Sequence, residues 1–232
     1  MKYDNIVTGI FLSRENRFLA MALIDNITVA VHVKNTGRLK ELLIPGAKIF
    51  MEDHGKNRNG RKTRYSLIAV EKDNRIINID SLAPNKVVED AIINNSLIND
   101  LKLYKKEYKY KNSRFDFYYE TNMGKPGFIE VKGATLEKDK YISFPDAKTT
   151  RGLKHINELI DAKKNGFEAM VIFVIQMSSK KPFTPNIAAD KDFTEALLSS
   201  NKKGVIIKAY CCDVTPNSIV LASETPVLLD IY

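Results

Sequence analysis

Residues 169–176, AMVIFVIQ, are seven apolar residues closed by a single glutamine. So short a run, rich in β-branched and aromatic side chains, reads as a strand buried on both faces, and such strands occupy the middle of a sheet covered by helices. Suitable helices lie nearby in sequence. Residues 150–164 place Leu153, Ile156, Leu159 and Ile160 on one face and stop at Asn165-Gly166. DFTEALLSSNKK reads as a further helix leading into the strand GVIIKAY. Upstream, a helix carrying Val87, Val88, Ala91 and Ile92 is expected to begin just after Pro84 and Asn85, followed by strands at 113–119, 127–132 and 141–144. The order is αβββαβ, an α/β core around a mixed sheet.

The rhythm before residue 82 is different. NIVTGIFL, FLAMALI, ITVAVHV, AKIFME, YSLIAVE and IINID are short segments, several with apolar–polar alternation, separated by Gly, Asn and charged residues. That is the pattern of a small barrel or sandwich. The expected division is a β domain at 1–82 and an α/β domain at 83–232, and 232 residues with 44% hydrophobic content suffice for two such cores. No apolar run approaches the roughly 18 residues that span a bilayer, and MKYDNIVTGI lacks the apolar stretch of a signal peptide. The expected address is the cytoplasm, with no membrane partner. Cys211 and Cys212 are adjacent, and with His32, His54 and His155 they point away from a structural zinc site.

A net charge of +8 favours a polyanionic partner. GKNRNGRKTR, 55–64, holds Lys56, Arg58, Arg61, Lys62 and Arg64 with no acid. Residues 102–114 hold five lysines, Lys105 and Lys106 among them, with Arg114, one glutamate and interleaved Tyr104, Tyr108 and Tyr110. Basic and aromatic groups together can neutralise phosphates and stack on bases; a solvated loop in a Lys- and Asn-rich chain has the same composition.

Five Asp/Glu-x-Lys triplets occur, beginning at Asp100, Glu107, Glu130, Asp146 and Asp161. Only Glu130-Val131-Lys132 lies in a strand-like run, where Phe128, Glu130 and Lys132 share one face. Asp116 lies between Phe115 and Phe117 in the preceding strand, and the turn NMGKPG makes antiparallel pairing of the two the expectation. Asp116 and Glu130 then meet at one edge of the sheet. Two carboxylates so placed repel unless a cation or proton lies between them, and hard oxygen donors suit Mg²⁺ or Mn²⁺. The Val131 carbonyl is a candidate further ligand, and Glu89 on the preceding helix a candidate third acid or a solvent-facing residue beside Asp90. A water acidified by the metal and oriented by Lys132 can attack a phosphodiester, and the lysine can stabilise charge building on the phosphate. The structural alternative is a salt bridge at a sheet edge.

SRFDF, FIEVKGATL, FPDAKTTRGLKHINEL and GVIIKAY, with VHVKNTGRLKELLIPGA and SLAPNKVVEDAI before them, resemble the sugar fermentation stimulation protein A (SfsA) family over nearly the whole chain. The resemblance implies an OB-like amino-terminal barrel, a PD-(D/E)XK nuclease-like domain, DNA binding and a link to sugar metabolism. It matches Asp116 to the metal-binding aspartate, Glu130 to the second acid, Lys132 to the motif lysine and Glu89 to a helix acid. It also places Asp146, Thr149, Arg151 and His155 in one cleft, and it brings His32, Asn35, Thr36 and Gly37 into a family segment that is also an ordinary tight turn. RKTRYSL lacks the family's proline before Tyr65, and Phe115 stands where the nuclease motif's name has proline. Two functions follow: a metal-dependent nuclease, or a non-catalytic DNA-binding regulator of sugar metabolism genes that keeps the fold. A protein-binding scaffold is a third, opposed by the basic and aromatic runs.

Overall fold

The computed structural model describes residues 1–55, 60–138 and 140–230. They form two compact units. The first comprises Met1–Ala83, Gln176–Ser179 and Cys212–Val220; the second comprises Pro84–Ile175, Lys180–Cys211 and the chain from Leu221 onward.

The first unit is built on β1 (Ile6–Asn16), β2 (Leu19–Ile24), β3 (Ile27–Val33), β4 (Lys48–Asp53), β5 (Tyr65–Lys72) and β6 (Arg75–Asn78). With 11 residues, β1 is long enough to serve two partners. Its first half pairs antiparallel with β4 from Ile6 opposite Glu52, and its second half pairs with β2, ending at Asn16 opposite Leu19. Register shifts between Phe11 and Ser13 and between Arg14 and Asn16 supply the bend. Gly9 allows the strands to crowd there, since a Cβ would lie 2.8 Å from the Leu23 carbonyl oxygen. A parallel pairing of β3 with β5, Val31 opposite Tyr65 to Val33 opposite Leu67, closes the ring β1-β2-β3-β5-β4. The choice left open by the strand pattern is thereby resolved as a barrel. Phe11, Ala20, Ala22, Val31, Ile49, Met51 and Leu67 fill it. The Asn-Thr-Gly segment is a turn clamped by Arg14, whose guanidinium donates to the carbonyls of Asn35 (2.6 Å) and Gly37 (2.6 Å).

The second unit contains α1 (Ala83–Ile93) from its second residue on, then β7 (Leu101–Tyr110), β8 (Ser113–Thr121), β9 (Pro126–Ala134), β10 (Leu136–Lys138), β11 (Tyr141–Phe144), α2 (Thr150–Lys164), β12 (Glu168–Ile175), β13 (Phe183–Pro185), α3 (Lys191–Lys202), most of β14 (Ile206–Thr215) and of β15 (Ser218–Thr225). Six strands form a mixed sheet in the order β15-β14-β12-β9-β8-β7. The apolar run that dictated an α/β core is β12, parallel to both β9 and β14, with Ala169 to Ile175 all buried. A second, three-stranded sheet, β10-β11-β13, packs against β12, with Phe183 stacked on Phe173 at 4.1 Å and Phe144 at 5.5 Å from the same ring. Helix α2 begins at a Thr149 cap, whose hydroxyl accepts from the Gly152 amide (3.1 Å), and stops at Asn165 before Gly166 with φ +87°. It packs on β8, β9 and β12 and against α3.

One local expectation needs correction. Pro84 and Asn85 lie inside the first turn of α1, not ahead of it; proline fits there because a first-turn amide needs no intrahelical acceptor. The basic run at 102–110 belongs to a strand, β7, paired antiparallel with β8. Its tyrosines are engaged by the protein itself: Tyr108 stacks on Tyr118 at 4.5 Å, Tyr110 packs on Phe128 at 5.1 Å, and Tyr104 donates to Glu89.

The β8–β9 hairpin depends on a missing side chain. Tyr119 lies opposite Gly127, and a Cβ at Gly127 would fall 2.4 Å from the Tyr119 ring. That ring is anchored by its hydroxyl on Glu168 (2.7 Å) and cannot swing away without losing the bond. Gly127→Ala is therefore expected to cost about 1–3 kcal/mol, read as a lower urea midpoint at unchanged m-value.

Candidate metal centre

The site forms where β8 and β9 part. Their ladder runs to Phe117 opposite Ile129 and stops, although β9 continues its pairing with β12 to Ile175 opposite Ala134. One step beyond the last rung come Asp116 and Glu130. The Val131 amide donates to the Asp116 carboxylate Oδ2 (2.7 Å), so a side chain takes the place of a ladder acceptor. Both strands are interior to the sheet, which corrects the expected sheet edge: the acids sit at the end of a ladder, between strands.

Glu130 is 2% exposed. Its Oε1 accepts from Lys132 Nζ at 2.6 Å and from His155 Nδ1, while its Oε2 is buried with no hydrogen-bond partner. Burial alone would raise its pKa, but the His155 hydrogen bond and the Lys132 charge together hold it below the ordinary glutamate value. Asp116 shows the opposite balance. Burial, and then the Glu130 charge, push its carboxyl up to about 6 against the lowering effect of the Val131 amide and of Asn85. Asn85 Nδ2 donates to Asp116 Oδ1 at 2.7 Å. Behind His155, Phe115 and Phe128 pack with centroids 5.0 Å apart, and Phe115 meets the His155 ring edge-on at 6.3 Å. Such pairs contribute about 0.5–1.5 kcal/mol each beyond their burial.

Asp116, Glu130, Val131, Lys132 and His155 thus come together. Glu89 does not join them: it bonds Lys106 (3.0 Å), Lys86 (3.1 Å) and Tyr104 (3.2 Å). Among the described residues no group of three or more His, Cys, Asp or Glu is placed to hold a metal. Thr149 caps α2 and its amide donates to Asp190 (2.7 Å). Asp146 is exposed on a bend, and Arg151 is exposed on the first turn of α2. The sequence missed Asn85 altogether. His155 entered only through the family block, although its position four residues before Leu159 put it on the apolar face of α2, where a polar ring needs a partner.

The expected nucleic-acid contacts are placed unevenly. Lys56 and Arg58 lie outside the described residues. Arg64 forms a bidentate pair with Asp53, both bonds 2.6 Å, and Arg61 Nη1 lies 3.1 Å from His54 Nε2. Lys106 pairs with Glu89 and Arg114 with Glu107 (2.7 Å), while Lys105 sits over the Tyr108 ring at 5.8 Å. Lys62 is exposed and has no ion pair among the described residues. No helix among them is long and apolar enough to cross a membrane.

A closed five-stranded barrel joined to a mixed α/β unit whose central hairpin opens around two acids and a lysine defines a class: an OB barrel with a restriction-endonuclease-like domain. The family model for the SfsA N-terminal OB domain matches residues 12–79, and that for the sugar fermentation stimulation protein RE domain matches 82–218. The chain belongs to the SfsA family. It is 50% identical over 230 residues to the sugar fermentation stimulation protein homolog of Clostridium beijerinckii, covering 99% of this chain and 100% of that one. The homolog from Clostridium tetani is 49% identical over 228 residues, 97% and 98% of the two chains. Among solved structures, SfsA of Pyrococcus furiosus in complex with Ca²⁺ superposes with a TM-score of 0.88 at 30% identity, covering 98% of each chain.

Proposed function

We propose that this protein is a divalent-metal-dependent phosphodiesterase acting on nucleic acid, DNA in the first instance. The observation that carries the reading is the orphaned Oε2 of Glu130, a buried anionic oxygen without a donor beside a second carboxylate. An unsatisfied buried carboxylate oxygen costs stability, and a small hard cation satisfies it. The residues fit Mg²⁺ or Mn²⁺: Asp116 and Glu130 would hold the ion and the Val131 carbonyl would add a neutral oxygen. The Ca²⁺ complex of the Pyrococcus furiosus protein supports a hard-cation site in that relative. When bound, the ion supplies an acidified water and a Lewis acid for the phosphate.

The chain's own groups do the rest. Lys132, with 13% of its side chain exposed and its ammonium 2.6 Å from Glu130 Oε1, borders the buried pair and would turn its charge toward a water or a phosphoryl oxygen. His155 holds Oε1 of Glu130 from the side of α2, which leaves Oε2 available. Arg151, exposed one turn ahead of His155 and without an ion pair among the described residues, would take a flanking phosphate. The test is cleavage of single- and double-stranded DNA and RNA with Mg²⁺, Mn²⁺ or EDTA. Metal-dependent cleavage is expected, and failure on all four substrates with both metals defeats the reading.

A non-catalytic DNA-binding regulator is the second reading, and the 2.6 Å Lys132–Glu130 ion pair favours it, because that pair partly satisfies the acid without a metal. Both readings require nucleic-acid binding. Affinity is expected to fall with salt at a slope of about 0.9 per neutralised phosphate. Lys62→Ala should flatten the slope by about 0.9, and Arg64→Ala by less because Arg64 is already paired with Asp53. Anisotropy titrations at several salt concentrations measure this; an unchanged slope for Lys62→Ala removes this segment from the interface.

A further inference from the structure

We infer that Asn85 is a positioning residue for the metal centre, holding the Asp116 carboxylate in its ligand orientation through a neutral donor; the inference rests on the metal-dependent reading above. The carboxylate is gripped at both oxygens, by Asn85 Nδ2 on Oδ1 and by the Val131 amide on Oδ2, each at 2.7 Å and each from a different element. A carboxylate offers about four acceptor directions, so two donors fix its plane and leave lone pairs for a cation.

The choice of residue type carries the argument. Asparagine is a poor helix former compared with alanine, and near a helix start its side chain ordinarily satisfies local backbone amides. Asn85 lies in the first turn of α1, yet among the described residues its one side-chain hydrogen bond goes to Asp116. A lysine or arginine there would grip Asp116 equally well but would neutralise it and compete with the incoming ion. A carboxylate would add repulsion to a pair in which burial and Glu130 already raise the aspartate's proton affinity. An amide donates without cancelling charge. One turn later Glu89 is held by Lys86, Lys106 and Tyr104, so Asn85 is the α1 side chain that reaches the acids.

Residues that orient metal ligands typically contribute 10–100-fold to affinity. Asn85→Ala should therefore weaken Mn²⁺ binding by about 10–100-fold, measured by titration calorimetry on the full chain and by loss of the bound-Mn²⁺ paramagnetic resonance signal. A merely structural role predicts a lower melting temperature in EDTA with the dissociation constant unchanged. Asn85→Ser, too short to span to Oδ1, should behave as the alanine variant does and serves if that variant folds poorly. A dissociation constant within about threefold of wild type in a folded variant overturns this inference alone, whereas a wild type that takes up no Mn²⁺ overturns it together with the metal-dependent reading.

Discussion

Glu130→Gln is expected to lower the melting temperature of the metal-free protein and to remove most of the stabilisation that Mn²⁺ gives the wild type. The first effect follows from the ion pairs. Glu130 is buried and faces Lys132 and His155, so neutralising it strands those donors against an amide. Removing one partner of a buried pair costs about 3–5 kcal/mol. The lower end applies, because glutamine still accepts through one oxygen and Lys132 borders solvent. The second effect follows from linkage: metal at a hundredfold excess over its dissociation constant stabilises by about 2.7 kcal/mol, and a variant without the Glu130 charge forgoes most of that. A purely structural salt bridge gives the same loss in EDTA, so the metal arm decides. A wild type whose melting does not respond to Mn²⁺ defeats the metal centre.

The same experiment has a pH dependence. Asp116, pushed up to about 6 by burial and by Glu130, takes a proton as pH falls through that value and no longer offers a full negative charge to an ion. The Mn²⁺ stabilisation should therefore be complete above about pH 7 and fade as pH falls below about 6. In EDTA the sign reverses for this group. A carboxyl that binds its proton more tightly in the folded state costs stability above its folded pKa, and that cost is relieved as pH falls from about 6 toward the unfolded value near 4.

The barrel strands were legible because each is a short alternating segment bounded by turn residues, and the segments read from 65–71 and 27–33 lie within β5 and β3. The helix stop at Asn165-Gly166 and the buried β12 were equally plain. Strand β7 was hidden by composition: its lysines and tyrosines alternate irregularly, with positive φ at Glu107 interrupting it, so charge obscured the strand period. At the site, Asp116, Glu130 and Lys132 were visible because charged residues break an apolar hairpin. Asn85 was not, since a polar residue at a helix start has an ordinary explanation, and its bond crosses 31 positions to Asp116. The fate of Glu89 was equally invisible: the lysine that draws it away, Lys106, comes from β7. Among the described residues the charge of the acids is met by cations on one side only, by Lys132 and His155 at Oε1 of Glu130; Asp116 has only the neutral donors Asn85 and Val131, and Oε2 of Glu130 has none.

Lys132→Ala is expected to reduce cleavage by about 10²–10³-fold, the loss typical of removing one donor aimed at developing negative charge. Affinities for Mn²⁺ and for nucleic acid should stay near wild type. The separation is possible because Lys132 and His155 share Oε1 of Glu130: without the lysine, His155 still holds that oxygen and Oε2 stays available. Removing Lys132 also deletes a positive charge beside the acids, which favours cation binding, so weaker Mn²⁺ binding in the variant would point to a lysine that orients Glu130 instead of acting on substrate. Lys132→Arg separates charge from geometry. It keeps the cation but replaces a compact ammonium with a planar fork, and in a space bounded by Glu130 and the strand pair it should retain binding while recovering only part of the rate. Single-turnover cleavage with each variant, beside calorimetric Mn²⁺ titrations, makes the comparison; an alanine variant that cleaves at the wild-type rate removes Lys132 from the chemistry and leaves it as the structural partner of Glu130.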